Sequence, residues 1–307
     1  MAYIGTWSEV IFAWQESQDG LWYSVTADPD VSTDFVSLAL DPAGLPRVLY
    51  RDWITYQLRY AYALGDYTTW ITQTLADVGF WVSDNSDLAF DATGTLHLAY
   101  YNGQTTGDLH HAYWDIYLVD QTVDTGGQGE SVSMGLDSAG HVHLSYYDGA
   151  NHDLKYAFRD ASGWHIEMVG DATGITTSLA LDENGVPHIS YNNYESPYLW
   201  VKYARRSAGG GWIRSYVSGV SGAGGWPFQT SLALDGDGYP RISYYIGYTH
   251  ELMYSNKDAS GWHHYTVASS VDGGDNSLAI DWNGYTHISY YDYLGYGSGK
   301  FKYAYQD

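Results

Sequence analysis

The stretch Ser178–Tyr191, SLALDENGVPHISY, decides the fold because related copies of it occur six times along the chain. The copies start at Ser37, Asp87, Ser133, Ser178, Ser231 and Ser277, and successive starts lie 45 to 53 residues apart. A repeat of this length, built from short aromatic and β-branched segments, is typical of a β-propeller, whereas helical arrays show stripes of 3.6-residue period. The repeat therefore predicts a chain of propeller blades.

Each repeat divides into four predicted strands, labelled A to D. Strand A is the S-L-A-L-D block, and strand B follows a D-x-x-G turn, as in Pro187–Tyr191. Strand C is of the L-K-Y-A type, as in Leu154–Ala157, and strand D begins near a Trp, as in Gly163–Val169. The segments alternate with a period of two and are bounded by turn residues, as strands are. In the turn, Asp accepts backbone N–H groups and Gly adopts a positive φ.

Six A–B hairpins predict an all-β fold, a single β-propeller over residues 1–307 with six blades of four antiparallel strands. The sixth copy ends after its strand C, Phe301–Tyr305, so residues 1–36 are expected to supply the closing strand or strands. Both Trp7–Phe12 and Leu21–Val25 fit a strand D. Because Val10–Ala13 is also similar to strand C, the two segments together could form a C–D hairpin. Seven blades is the alternative.

The repeated pattern φ-A-φ-D-x-x-G-x-P-H-φ-S-Y, where φ is an apolar residue, resembles that of NHL-repeat propellers, φ-A-V-D-x-x-G-x-φ-Y-V-A-D. The resemblance covers strands A and B of every repeat. The Asp that ends strand B in the NHL pattern is replaced here by a Tyr in each copy: Tyr50, Tyr100, Tyr146, Tyr191, Tyr244 and Tyr290. The resemblance implies a propeller fold and no particular activity, since propellers carry many functions.

Composition excludes several classes of protein. The net charge is −23, from 13 Lys and Arg against 36 Asp and Glu, which disfavours nucleic acid and anionic membrane surfaces as partners. The absence of Cys excludes disulfides, thiol catalysis and thiolate metal sites. The longest apolar run near the start, Val10–Trp14, is too short to span a bilayer, so no membrane insertion is expected. The acidic, aromatic-rich composition favours a secreted or cell-surface protein, with the cytoplasm as the alternative.

Binding residues are expected where the repeats differ, at the loop face on which strand B ends and strand A begins. The candidates follow the repeated Tyr of strand B: Arg51, Asp52, Tyr101, Asn102, Tyr147, Asp148, Asn192, Asn193, Tyr245, Tyr291 and Asp292. Tyr rings stack on the C–H faces of sugars, and Asn and Asp pair with hydroxyl groups, so this surface suits a glycan or another neutral polar ligand. The alternative is that the Tyr residues are strand formers that fill the space between blades.

A second candidate set is the column of basic residues near the start of strand B: Arg47, His97, His143, His188, Arg241 and His287. These groups could form a ring around an axis that binds an anion or moves protons. The alternative is that each packs between blades, bonded to a neighbouring Ser, Tyr or Asp. No cofactor or metal is predicted: Asp235–Gly238 is similar to part of a calcium loop, but the other ligands of such a loop are missing.

These features favour a non-catalytic binding module, lectin-like, with several similar pockets whose combined binding adds avidity. One alternative is a polysaccharide lyase, with a Tyr or His as acid and base and Arg51 neutralising a uronate. Another is a glycosidase, for which Glu130, Asp148 and Asp52 are candidate carboxylates. A protein-interaction scaffold is the third alternative.

Overall fold

The computed structural model describes residues 1–4, 9–15, 20–33, 35–79, 86–103, 107–127, 131–171, 176–221, 229–271, 275–293 and 299–306. Every regular element in these ranges is a β-strand, so the described chain has no helix that could cross a membrane. The chain divides into two compact units, Met1–Val132 and Ser133–Asp307.

Unit 1 contains an N-terminal sheet and two blades. The N-terminal sheet consists of β1 (Ala2–Ile4), β2 (Val10–Gln15) and β3 (Trp22–Asp28). Blade 1 consists of β4 (Val36–Leu40), β5 (Pro46–Asp52), β6 (Gln57–Ala63) and β7 (Trp70–Asp77). Blade 2 consists of β8 (Asp87–Phe90), β9 (Leu96–Asn102), β10 (Asp108–Trp114) and β11 (Leu118–Asp124). The N-terminal sheet packs on blade 1 through a core that includes Val10, Val48 and Tyr50.

Unit 2 contains the other four blades. Blade 3 consists of β12 (Val132–Leu136), β13 (Val142–Asp148), β14 (Asp153–Asp160) and β15 (Gly163–Asp171). The first residue of β12, Val132, is the last residue of unit 1. Blade 4 consists of β16 (Thr177–Leu181), β17 (Pro187–Glu195), β18 (Tyr198–Arg206) and β19 (Trp212–Ser221). Blade 5 consists of β20 (Thr230–Leu234), β21 (Pro240–Ile246), β22 (Glu251–Asp258) and β23 (Gly261–Ser269). Blade 6 consists of β24 (Asn276–Ile280), β25 (Thr286–Tyr293) and β26 (Gly299–Gln306).

The six sheets that begin with the repeat are the blades of a six-bladed β-propeller, which confirms the predicted fold class. Blade 6 has its strands A to C among the described residues. The residues before blade 1 form a three-stranded sheet, in which β2 and β3 pair as the predicted C–D hairpin. A β-bulge between Val10 and Ile11 supports that match, because each complete blade has one at the same place, as between Leu154 and Lys155. Residues 7 and 8 of the other predicted closing segment lie outside the described ranges.

The A–B turns have the predicted geometry. The six turn glycines have φ between 74° and 87°. In blade 4, Oδ1 of Asp182 accepts the amide N–H groups of Asn184 at 2.9 Å and Val186 at 2.8 Å. The same pair of bonds recurs in the other five turns. The repeated Asp is therefore a turn-forming residue in every blade.

Repeated hydroxyl groups join neighbouring blades within unit 2. Oγ of Ser178 accepts the amide of Leu232 on the next strand A at 3.1 Å. Ser190 on strand B bonds to Thr230 of the next blade at 2.8 Å, and both residues are buried. Large apolar side chains fill the remaining space, among them Tyr244, which is fully buried. The Ser of the S-L-A-L-D block thus links successive inner strands.

Candidate functional site

The eleven residues predicted to bind a ligand lie at the B–C turn ends of the blades, and most of them are buried. Nine are buried: Arg51, Asp52, Tyr101, Tyr147, Asp148, Asn192, Asn193, Tyr245 and Asp292. Asn102 and Tyr291 are half-buried. Side chains that are buried to this degree present little surface to a ligand.

The carboxylates of this set are occupied by neighbours in the same blade. Asp148 accepts hydrogen bonds from Nζ of Lys155 at 2.6 Å and from Nδ2 of Asn151 at 2.9 Å. Burial acts to raise the pKa of Asp148, but these two donors outweigh it and hold the pKa below its usual value. Asp292 pairs with Lys302 in the same way, at 2.6 Å. In these two blades the strand-C lysine therefore neutralises a buried acid.

Arg51, the most distinctive residue of the set, is also used within its own blade. Its guanidinium lies 4.1 Å from the ring centroid of Trp53 and donates to the carbonyl oxygen of Gly79 at 3.3 Å. Next to it, Oδ1 of Asp52 accepts the amide N–H of Ile54 at 3.0 Å, which closes the B–C turn. Both side chains stabilise this turn.

The neutral members of the set join the B–C end to the segment between blades. The hydroxyl of Tyr245 donates to the carbonyl of Val271 at 2.8 Å, and Oδ1 of Asn192 accepts the amide of Thr176 at 3.2 Å. Contact of these eleven residues with a ligand stays a prediction. The candidate Glu130 lies outside the described residues.

The basic column of strand B lies at the opposite end of the blades, and each member faces the Asp of its own A–B turn. The pairs are Arg47–Asp41, His97–Asp91, His143–Asp137, His188–Asp182, Arg241–Asp235 and His287–Asp281. In blades 3, 4 and 6, Nδ1 of the His bonds to the hydroxyl of a strand-C Tyr: Tyr156, Tyr203 and Tyr303. These partners are of the kind expected for residues packed between blades, and a role as an anion-binding ring stays a prediction.

Burial sets the protonation of these pairs. It lowers the pKa of His143 and His188 below 6.5, and the neighbouring Asp residues only partly offset the effect. Burial also raises the pKa of Tyr203, and it raises that of Tyr60 in blade 1 to about 12. At neutral pH the two histidines are therefore uncharged, and the tyrosines keep their protons.

An open groove lies between blades 4 and 5 at the A–B turn end; we name it groove 4/5. It has a volume of about 750 Å³. His188 and Tyr203 lie in it, joined by a 2.5 Å hydrogen bond. Arg205, the cross-strand partner of His188, is exposed beside them. Lys257 of blade 5 reaches over from the other wall, with Nζ 5.8 Å from the ring centroid of Tyr203.

The rim of groove 4/5 also carries acids. Glu183 and Asp237, on the A–B turns of the two blades, are both exposed and line the groove. The turn residues Asp182 and Asp235 line it as well, but backbone amides occupy one oxygen of each. The groove therefore offers acceptors as well as cationic donors to a polar ligand.

A second groove lies at the same place between blades 1 and 2, and we name it groove 1/2. Its volume is about 450 Å³. Arg47 and Tyr60 take the places of His188 and Tyr203. The grooves also differ at two strand-C positions: groove 1/2 has Tyr62 and Trp114 where groove 4/5 has Arg205 and Lys257. One site type thus recurs in both units, once with an aromatic lining and once with a cationic one.

The part of the chain that the structure describes contains no cluster of three or more His, Asp or Glu side chains suited to a metal ion. In the loop that is similar to a calcium site, Oδ1 of Asp235 accepts the amides of Asp237 and Tyr239, and Oδ2 faces Arg241 at 3.4 Å. This Asp is therefore a turn residue that is paired with the column.

Two of the groove residues, His188 and Arg47, belong to the basic column that the sequence marked as a candidate set. The strand-C residues of the grooves were not among the sequence-based candidates, although the sequence contains a signal for them. The strand-C position that pairs with the basic column holds Tyr62, Tyr113, Phe158, Arg205, Asn256 and Tyr305. The next position holds Ala63, Trp114, Arg159, Arg206, Lys257 and Gln306. Both positions vary between repeats, as expected for binding residues. Only the strand register shows that both open on the A–B turn end.

Comparison with solved structures shows the fold. A mutant of AofleA from Arthrobotrys oligospora matches with a TM-score of 0.64 and 14% identity, over 88% of this chain and 82% of that one. The Aleuria aurantia lectin AAL, in complex with Fucα1-6GlcNAc, matches with a TM-score of 0.60 and 13% identity, over 89% and 94%. An ulvan lyase of polysaccharide lyase family PL25, bound to -[GlcA(1-4)Rha3S]-, matches with a TM-score of 0.62 and 12% identity, over 94% and 86%.

At these identities the likeness is one of fold. No protein-family model matches the chain, and no curated protein matches it. The propeller part of the resemblance to NHL repeats is confirmed.

Proposed function

We propose that this propeller is a carbohydrate-binding module whose ligands lie in the inter-blade grooves at the A–B turn end. The observation that carries the proposal is the recurrence of one groove, in equivalent positions, in groove 1/2 and groove 4/5. Two similar sites on one chain suit a binding protein, because linked weak sites add avidity. A single catalytic centre would not need the second groove.

The lining of groove 1/2 fits a neutral sugar. Trp114, with 38% of its surface exposed, and Tyr62 offer aromatic faces for stacking on the C–H groups of a pyranose ring. Arg47 and Gln73 lie in the same groove and can donate hydrogen bonds to hydroxyl oxygens. The glycan ligands named for the lectin AAL and the ulvan lyase support the same ligand class for this chain.

A polysaccharide lyase is the second candidate, because groove 4/5 places a bonded His188–Tyr203 pair beside Arg205. A lyase requires a base that removes a proton next to a uronate whose charge is neutralised. Two observations favour binding instead. The same His–Tyr pair recurs in blades 3 and 6, and burial raises the pKa of Tyr203, which makes its phenolate a rare species.

The test is a glycan array followed by calorimetric titration of the wild type and the variant Trp114→Ala with Fucα1-6GlcNAc and methyl β-D-glucoside. Loss of one stacking face should weaken neutral-sugar binding roughly two- to tenfold. The matched control is Trp282→Ala, since Trp282 is 93% exposed and lines neither groove. Equal losses in the two variants, or no glycan binding at all, would refute the proposal. Appearance of an unsaturated uronate in the same mixtures would favour the lyase.

We also propose a secreted or cell-surface location, on the strength of the acidic, Cys-free composition. Immunodetection of the protein in the medium and on intact cells of its source would test this. Recovery in the cytoplasm alone would refute it.

A further inference from the structure

The grooves of unit 2 differ in how their cations are used. Between blades 3 and 4, the strand-C residues at the groove positions are Phe158 and Arg206. Arg206 forms an ion pair with Glu167 of the neighbouring blade, and its guanidinium lies 5.3 Å from the ring centroid of Phe158. Arg206 is therefore bound by an acid, Glu167, and by the aromatic ring of Phe158.

Groove 4/5 lacks both of these partners. Glu167 pairs across the sheet with Tyr156, and the equivalent partner of Tyr203 in blade 4 is Ser215. The equivalent of Phe158 is Arg205, a second cation. One acid and one ring have thus been replaced by a small hydroxyl residue and a positive charge.

Arg205 and Lys257 consequently line groove 4/5 without forming an ion pair, although four carboxylates line the same groove. Among the described residues, neither Arg205 nor Lys257 has a carboxylate within salt-bridge distance, whereas most other cations of the chain have one. In a chain with a net charge of −23, two such groups at one groove are unusual. The groove between blades 5 and 6 differs again, because Arg241 crosses to Thr286 of blade 6 at 2.9 Å.

We propose that groove 4/5 binds an anionic sugar residue, with Arg205 and Lys257 holding its carboxylate. The inference rests on the proposed function and adds the ligand class of one groove. The exposed Glu183 and Asp237 at the rim accept hydrogen bonds from the sugar hydroxyls. A neutral sugar would leave the two cations unpaired, and a simple anion would leave the rim acids without donors. A uronate offers a carboxylate to the two cations and hydroxyl groups to the two rim acids.

The test is calorimetric titration with methyl β-D-glucuronide and methyl β-D-glucoside, which differ only in a carboxylate against a hydroxymethyl group. Glucose 6-sulfate is added to separate recognition of a carboxylate from recognition of any anion. We expect the wild type to prefer the glucuronide, and each of Arg205→Gln and Lys257→Gln to reduce that preference about fivefold, as for a partly exposed ion pair. Added salt should weaken the preference as well.

The matched control is Lys300→Gln, because Lys300 is an exposed lysine on β26 that lies opposite Asp292 in the strand register, at the far end of its blade. It removes the same charge from unit 2 without touching groove 4/5. Equal binding of glucoside and glucuronide by the wild type, or an equal loss in the control, would overturn the proposal and leave the proposed function standing. Stronger binding of the sulfate than of the glucuronide would overturn the carboxylate assignment. Failure of every sugar to bind would overturn both proposals.

Discussion

One substitution, Ser215→Glu, should give groove 4/5 the kind of ion pair that Arg206 and Glu167 form between blades 3 and 4. The new carboxylate would occupy the position that Glu167 has in blade 3, since each residue pairs across the sheet with the strand-C Tyr of its blade. Lys257 would then gain the acid that Arg206 already has. We expect Lys257 and the new carboxylate to form an ion pair in groove 4/5, as Arg206 and Glu167 do between blades 3 and 4.

The magnitude follows from the exposure of the existing pair. The side chains of Arg206 and Glu167 are 31% and 25% exposed, so their pair is only partly desolvated. Partly exposed ion pairs contribute about 0.2–1 kcal/mol. A double-mutant cycle of Ser215→Glu and Lys257→Gln should therefore give a coupling of about 0.5–1 kcal/mol in the free energy of unfolding. The same substitution should weaken glucuronide binding by about fivefold or more, because Lys257 is no longer available.

Urea denaturation of the four proteins of the cycle measures the coupling, and calorimetry measures glucuronide affinity. Ser215→Gln is the control, because it adds the same volume without the charge. A coupling within about 0.2 kcal/mol of zero would refute the assigned equivalence of the two positions. An equal loss of affinity with Gln would show that filling of the groove, rather than pairing of Lys257, weakens binding.

Two further predictions concern stability. Gly238→Ala should destabilise the protein by about 1–2 kcal/mol, because φ is 78° at this position. The control Gly236→Ala, in the same turn but outside the left-handed region, should be close to neutral. Equal urea midpoints of the two variants would contradict this prediction. The pKa of His188 in the folded state lies below 6.5, so on acidification the unfolded chain binds the proton before the folded chain does. The stability of the wild type relative to His188→Gln should therefore fall as the pH drops below about 6.5. The comparison with the variant cancels the effect of net charge, and a constant difference in unfolding free energy between about pH 7.5 and 5.5 would contradict the prediction.

Local chemistry accounts for what could be predicted about the fold. The D-x-x-G turn needs an acceptor side chain and a glycine at positive φ, so Asp182 and Gly185 fix each hairpin wherever the motif occurs. The number of repeats then gives the number of blades, and the C–D hairpin before blade 1 follows from the similarity of Val10–Ala13 to strand C.

The amino-acid sequence by itself therefore determined the propeller, its six hairpin repeats and the structural role of the repeated Asp. It also placed the candidate binding residues at the B–C end, although variable positions occur at both ends of a blade. Tertiary structure decided what surrounds the residues at each end: Asp148 and Arg51 are buried by partners at the B–C end, whereas Arg205 and Lys257 come from different repeats and meet only where blades 4 and 5 pack side by side. Contacts between residues about 50 positions apart depend on blade packing and strand register, and no local pattern encodes them.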